Sequence, residues 1–301
     1  MDTNTTTARR DLALALVAFA IAFVLWQSSP LVALVYPFRL FVTFVHELGH
    51  GMATLATGGE FIRFELKSSG AGLAYSRGGI RSLIIPAGYV GTAIFGATLL
   101  YATNRTRRAE WIAIGLGGFL ALLSILYTGI STSNLNTLER FTVLIPMIAG
   151  IGYFLIAEED RGRLIGGGTA FVALLLGLYL AAGDNTLALM VGVISGAVLV
   201  AIGIVGMLGY RDVTRFTLNF LAFVVGLNAI TDAWFLLRIV SNDNLIIRND
   251  ATAMSEQVGL PASFWALMWI LTAVVLFGSS VWLTFFKPMQ DAREEPLPWK
   301  D

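Results

Sequence analysis

The two histidines of this chain, His46 and His50, are the residues most suited to chemistry, and Glu47 directly follows the first of them. Four residues of an α-helix turn through about 400°, so the two imidazoles lie one above the other on the same helix face. Two imidazoles in this arrangement can bind one zinc ion, and the intervening glutamate is then suited to act as a general base for water. The surrounding segment 41–51 is otherwise apolar, where unpaired ionisable side chains are costly. The pattern therefore favours a zinc site over two histidines that only pack or hydrogen-bond.

The composition indicates where such a site would lie. Hydrophobic residues make up 56% of the 301 residues and charged residues only 13%. Soluble domains carry about 25% charged residues, so this composition is typical of a polytopic membrane protein. The formal net charge is zero, which gives no reason to expect a nucleic-acid partner. The chain has no cysteine, which excludes disulfides and thiolate metal sites.

Apolar segments of about 20 residues, the length that crosses a bilayer, recur along the chain. They cover about residues 12–28, 31–56, 82–102, 110–132, 139–157, 163–182, 186–209, 216–240 and 262–286. We therefore expect an all-α polytopic membrane protein with about nine transmembrane helices. Eight helices are possible because segment 139–157 has a short apolar core and contains Pro146. A single integral membrane domain over 12–286 would lie between polar tails at 1–11 and 287–301.

One segment between the spans has a different period. Residues 60–67 alternate polar and apolar side chains, residues 68–72 are turn-forming, and alternation then resumes, which predicts a β-hairpin over 60–81. The hairpin is too short and too polar to cross the membrane, so we expect it at the membrane face beside the histidine helix. Glycines inside the spans, such as Gly117 and Gly196, are expected to permit close helix packing.

The third zinc ligand should be a carboxylate, because catalytic zinc commonly takes three protein ligands and the chain has no further histidine and no cysteine. Asp232 lies deep in the apolar run 216–240, where an unpaired carboxylate is costly, and Asn228 one turn earlier can orient it. With nine spans, the second and eighth run in the same direction, which places Asp232 at a depth similar to that of the histidines. We therefore predict Asp232 as the third ligand.

Asp250 is the alternative third ligand. It lies in the loop 241–261, ahead of a short helix that ends before Pro261. An aspartate in this position commonly caps the following helix. The loop can also fold back over the histidines and bring this carboxylate to the metal, so both interpretations stay open.

Three stretches together carry a resemblance to a known family. They are His46-Glu-Leu-Gly-His50-Gly-Met-Ala-x-Leu-Ala-x-Gly-Gly59, Pro86-Ala-Gly-Tyr-Val-Gly91 after the hairpin, and Asn249-Asp250-Ala251 followed by Gly259-Leu-Pro261 and Trp265. On these residues the chain resembles the M50 metallopeptidases, the site-2 protease class of intramembrane zinc proteases. It is most similar to the M50B-like branch of bacterial and archaeal membrane proteins.

The resemblance implies Zn²⁺ held by His46 and His50, with Glu47 activating water. It implies a multi-pass protein of a prokaryotic cell membrane that acts, within the lipid bilayer, on membrane proteins or membrane-anchored peptides. The family's third ligand is the aspartate of an Asn-x-x-Pro-x-x-x-Leu-Asp-Gly motif. The nearest match in this chain is Asn228-Ala-Ile-Thr-Asp232, which lacks the proline and the glycine. Two hypotheses follow: a zinc-dependent intramembrane endopeptidase, or a metal-binding, non-proteolytic scaffold or regulator of the same family.

Overall fold

A computed structural model describes Ala13, residues 15–21, Val24, and residues 32–130, 135–242 and 248–288. The predicted first span, 12–28, is described only in part. The strands are β1 Glu60–Leu66 and β2 Gly72–Arg77. The helices are α1 Val32–Ala56, α2 Arg81–Ile84, α3 Ala87–Arg105, α4 Ala109–Tyr127, α5 Thr137–Ile156, α6 Asp160–Ala182, α7 Thr186–Met207, α8 Arg211–Val240, α9 Asp250–Val258 and α10 Ala262–Val281. The expectation of a helical fold with one small hairpin is confirmed.

The number of membrane spans follows less directly from these helices. Among the described residues, five segments are long and apolar enough to cross a membrane: Ala109–Tyr127, Thr137–Ile156, Asp160–Met207, Arg211–Val240 and Ala262–Phe286. The longest of them comprises α6 and α7, joined by a 3₁₀ turn. Helix α1, which contains Arg39, Glu47 and both histidines, is not among the five. The chain is thus a membrane protein, while the count of nine spans stays a prediction.

Helix α1 lies at the centre of the fold and carries both histidines. Its residues Phe41, Phe44, Val45 and Leu48 recur at helical spacing and are all buried. They pack against α3, α7 and the hairpin, and the Phe44 ring meets that of Phe64 edge-on at 5.2 Å. This packing on several sides holds the histidine helix in a fixed position relative to its neighbours.

The hairpin packs its apolar face on α1. Its strands pair antiparallel from Glu60 opposite Arg77 to Leu66 opposite Gly72, with an irregularity between Phe61 and Arg63. The extra residue shifts the alternation, so that Phe61, three residues before Phe64, faces the core together with Phe64 and Leu66. The predicted hairpin at 60–81 is therefore present.

Two side chains of α1 fasten the turn of the hairpin. The Tyr36 hydroxyl donates a hydrogen bond to the Ser68 carbonyl at 2.9 Å. The Thr43 hydroxyl donates another, also at 2.9 Å, to the carbonyl of Gly70, whose φ of +87° suits glycine. These bonds fix strand β2 against the helix that carries the histidines.

Close helix contacts occur at several of the predicted glycines. A Cβ atom at Gly117 of α4 would lie 2.4 Å from the Gly196 carbonyl oxygen of α7, and one at Gly96 of α3 would lie 2.8 Å from the Gly226 nitrogen of α8. Gly118, in contrast, has nothing within 4 Å of such an atom. The glycines at these two crossings therefore let the helix backbones touch, as expected for membrane helices.

Candidate metal centre

His46 and His50 face the same side of α1, one turn apart. Their ring centroids are 4.8 Å apart and their Nε2 atoms 3.1 Å apart. Both Nε2 atoms therefore point toward the same small region of space, at the end of the helix that lies beside β2 and α3.

Asp250 completes the group from the far end of the chain. Its Oδ2 atom lies 3.2 Å from Nε2 of His46 and 3.4 Å from Nε2 of His50. Among the described residues, these three make the one set of histidine and carboxylate side chains whose donor atoms converge as a metal site requires, all within 4.8 Å of one another. Two nitrogens and one oxygen therefore share a site although Asp250 follows His46 by 204 residues.

The start of α9 presents the Asp250 carboxylate to the histidines. Asn249, not Asp250, is the N-cap: its side chain accepts a hydrogen bond from the Thr252 backbone N–H, and the Asn249 backbone N–H donates one to the Thr252 hydroxyl. Asp250 is the first helical residue, so its side chain is not used for capping. The helix ends at Gly259 in the left-handed conformation, which fixes the length of this segment.

The spacing of the three donor atoms fits a tetrahedral metal ion. Ligands at about 2.0–2.1 Å from zinc are about 3.3–3.4 Å apart, because the edge of a tetrahedron is about 1.63 times its centre-to-corner distance. The observed separations of 3.1, 3.2 and 3.4 Å match one triangular face of such a tetrahedron. His46, His50 and Asp250 can therefore supply three ligands and leave the fourth corner free.

The protonation of the donors also suits a metal. Nδ1 of His50 lies 2.8 Å from the Ile84 carbonyl oxygen, which can only accept, so in the neutral ring Nδ1 would carry the proton and Nε2 would be available to bind a metal. Burial raises the pKa of Asp250, but hydrogen bonding to His46 and His50 lowers it by more, so this pKa lies below its ordinary value. The aspartate is therefore an anionic ligand at neutral pH.

Glu47 lies beside these donors and is only 5% exposed. Its carboxylate accepts a hydrogen bond from the Ala74 backbone N–H and interacts electrostatically with His46, His50 and Asp250. Strand β2 approaches it closely because Gly72 has no side chain: a Cβ atom there would be 2.4 Å from Oε1 of Glu47. The hairpin thus holds this carboxylate next to the three donor atoms.

Asp232, the predicted third ligand, is not part of the converging group. It lies on α8, where its carboxylate accepts a hydrogen bond from the Asn228 side chain, and it interacts electrostatically with His46 and Arg39. Asn228 is 3% exposed, and its own Oδ1 atom has no hydrogen-bond partner among the described residues. Asp232 is therefore close enough to interact with His46, as its predicted membrane depth suggests, but its carboxylate is not among the converging donor atoms. The geometry thus brings Asp250, the alternative third ligand, to the histidines, while the identity of the third ligand stays a prediction.

Two residues at the start of α3 contact the histidines and were not singled out as site residues from sequence. A Cβ atom at Gly88 would lie 2.3 Å from Nε2 of His46 and 2.5 Å from Nε2 of His50. The Tyr89 ring meets the His46 ring edge-on at 4.7 Å and stacks on Trp269 at 5.1 Å. The stretch Pro86-Ala-Gly-Tyr was visible in the sequence, but its contact with the histidines depends on how α3 packs on α1.

We expect Gly88→Ala to weaken metal binding by at least about 10- to 100-fold, the range typical when the immediate surroundings of a metal site are altered. The new methyl group would overlap both ligand nitrogens, so the imidazoles or the start of α3 would have to move. Zinc affinity, measured by competition with a chromophoric chelator, tests this expectation.

Gly91→Ala is the matched control. It makes the same change one turn along α3, where the nearest atom to the new methyl group would be the Gly49 Cα at 3.3 Å. Equal zinc affinities of Gly88→Ala and the parent would show that the space beside the two nitrogens is not part of the metal site.

Comparison with known proteins gave one finding. The sequence profile of the family described as Peptidase M50B-like matches residues 14–139 and 141–280. These two segments include His46, Glu47 and His50 in the first, and Asp232 and Asp250 in the second. No curated protein and no solved structure matched the chain.

Proposed function

The chain belongs to the M50B-like peptidase family, and on this premise we propose that it is a zinc-dependent intramembrane endopeptidase. The observation that carries the proposal is the convergence of His46 Nε2, His50 Nε2 and Asp250 Oδ2 beside the carboxylate of Glu47. The long apolar helices of the same chain support a membrane location for this chemistry.

Zinc is the ion that this donor set suits best. Two neutral imidazoles and one carboxylate are a usual ligand set for catalytic zinc, and the three donors leave one coordination position for water or substrate. Calcium and magnesium prefer oxygen ligands, which argues against them here. When bound, zinc would act as a Lewis acid that acidifies water and polarises a peptide carbonyl.

Glu47 would act as the general base of hydrolysis. It would take a proton from the attacking water and later transfer it to the amide nitrogen of the leaving peptide, so that atoms and charge balance over the reaction. The hydrogen bond from Ala74 and the close approach of Gly72 fix the carboxylate in one orientation. The burial of Glu47 keeps bulk water from competing for its proton.

The substrate would bind as an additional β-strand, paired with the outer edge of β2. A transmembrane substrate must unwind at the cleavage position, because helical carbonyls are already hydrogen-bonded. In an antiparallel ladder, hydrogen-bonded residue pairs alternate with pairs that are not hydrogen-bonded. Because Lys67 donates a hydrogen bond to the Ala71 carbonyl, Gly72 and Ala74 fall at positions that are not hydrogen-bonded to β1. Their backbone N–H and C=O groups therefore point away from β1. Since Ala74 bonds Glu47, a peptide paired with this edge would pass directly beside the catalytic carboxylate.

The proposal is tested with single-span peptides reconstituted into vesicles together with the purified zinc-loaded protein. Two peptides of equal composition are compared, one with a Gly-Pro pair in the middle of its apolar segment and one with that pair in its polar tail. We expect cleavage within the apolar segment, identified by mass spectrometry, and faster cleavage when the pair disrupts the helix. A protein that retains zinc but cleaves neither peptide would instead support a metal-binding scaffold or regulator.

A further inference from the structure

A cavity of about 640 Å³ lies between α1, α3 and α4. We call it the apolar cleft, and its lining includes Leu48, Met52, Ile94, Ala102, Ile112 and Phe119. Met52, Ile94 and Phe119 are exposed, so the cleft opens outward, toward the hydrocarbon when the protein is in a membrane. Its lining is almost entirely apolar, which excludes a polar solute as its occupant.

The wall of the apolar cleft is also part of the support of the metal centre. Gly49 of α1 and Ala87 of α3 both line it, and a Cβ atom at Gly49 would be 2.3 Å from the Ala87 carbonyl oxygen. The next residue, Gly88, abuts the two histidines. An occupant of the cleft would therefore lie against the α1–α3 contact beside the two histidines.

One end of the apolar cleft lies next to a group of arginines. Arg105 follows the lining residue Ala102 by one turn of α3, and Arg107 and Arg108 complete the short connection to α4. All three side chains are exposed, and none forms an ion pair with a residue in the described part of the chain. This end of the cleft therefore carries three arginines that have no ion-pair partner in the described part of the chain.

Aromatic side chains at the same end mark the level of the membrane surface. Tyr101 and Trp111 are both exposed, and the Arg105 guanidinium lies 5.6 Å from the centre of the Tyr101 ring. Exposed tyrosine and tryptophan collect at the boundary between hydrocarbon and headgroups. The arginines beyond them are thus at headgroup level, while the apolar cleft lies at the level of the acyl chains.

We propose that the apolar cleft binds an anionic phospholipid, with an acyl chain between α3 and α4 and the phosphate on Arg105, Arg107 and Arg108. From Ala87 to Ala102 the cleft extends for about 22 Å at about 1.5 Å per residue, which accommodates an acyl chain that fills one ~15 Å leaflet. Arginines at the membrane surface attract anionic headgroups, and among the residues that the structure describes these three have no ion-pair partner.

The test is native mass spectrometry of the delipidated full-length protein with phosphatidylglycerol and phosphatidylcholine of identical acyl chains. We expect one phosphatidylglycerol to bind in preference to phosphatidylcholine. The double variant Arg107→Gln with Arg108→Gln should weaken phosphatidylglycerol binding by about 25-fold, or about five-fold for each arginine removed. The matched control removes Arg161 and Arg163, two arginines at the start of α6 and outside the cleft, and should leave the preference intact.

A second pair of variants tests the acyl-chain part of the site. Ala102→Phe fills the cleft and should weaken binding of both lipids, whereas Ala201→Phe on the exposed surface of α7 should weaken neither. Inorganic phosphate should not displace the lipid, since displacement would identify a simple anion site. Equal binding of the two lipids by the parent, or equal losses in the two arginine variants, would overturn the proposal.

Discussion

Replacing Glu47 by glutamine is expected to lower kcat for peptide hydrolysis by about 10²- to 10⁴-fold, the usual contribution of a general base, while the protein keeps its metal. Glutamine has nearly the same shape and can still accept the hydrogen bond from the Ala74 backbone N–H. It cannot take a proton from water. The loss should therefore appear in kcat, with the zinc content and the thermal stability of the parent retained.

The measurement is the single-turnover cleavage rate of the helix-disrupted peptide, with bound zinc determined on the same samples. Glu65→Gln provides the control, because Glu65 lies in the same hairpin and pairs with Arg63 at 2.9 Å instead of joining the converging donors. A Glu47→Gln variant that cleaves at the parental rate, with zinc bound, would remove Glu47 from the mechanism.

Replacing Asp250 by alanine is expected to have the largest effect on metal binding. The substitution removes one of three donors and leaves His46 and His50 alone, so affinity should fall by more than the 10- to 100-fold typical of residues outside the ligand set. Asp232→Ala, in contrast, should keep one zinc per chain, because the Asp232 carboxylate hydrogen-bonds Asn228 instead of joining the donors.

Zinc affinity of both variants, measured by chelator competition in detergent, separates the two aspartates. Both substitutions remove one carboxylate near His46, so a general loss of negative charge would affect them alike. If Asp232→Ala loses zinc and Asp250→Ala retains it, the third ligand is Asp232, the residue that the sequence favours.

The helix with both histidines and the hairpin after it could be predicted because each is encoded locally. The spacing of His46 and His50 is enough to place two imidazoles on one helix face. The hairpin is encoded by alternation and a glycine-containing turn, although the irregularity between Phe61 and Arg63 that turns Phe61 inward leaves no simple mark in the sequence. Local periodicity and turn chemistry therefore suffice for these elements.

The contact of Asp250 with the histidines could not be predicted in the same way, because it joins residues 204 positions apart in the chain. Asp232 was favoured because a carboxylate in an apolar helix needs a partner, and Asn228 provides one within the same helix. Asp250 was open to interpretation as a helix cap, but Asn249 takes that position and leaves the Asp250 carboxylate free to reach the histidines. Which of two neighbouring polar residues caps a helix is decided by packing that the sequence does not display.

The residues that surround the histidines could not be predicted from the sequence either. Gly88 lies beside the imidazoles because α3 crosses α1 at Gly49, and the Ile84 carbonyl comes from the short helix α2, which also contacts α1. No local sequence pattern predicts these contacts. In contrast, the glycines of the α4–α7 contact were expected from composition alone, since small residues at membrane helix crossings are common.

X-ray absorption at the zinc K-edge of the purified parent protein tests the central claim most directly, because it reports the ligands of the metal itself. With zinc bound at His46, His50 and Asp250, the spectrum should show two imidazoles at about 2.0–2.1 Å together with oxygen donors, at one zinc per chain. A well-folded protein that retains no zinc, or a zinc shell with fewer than two imidazoles, would contradict the account.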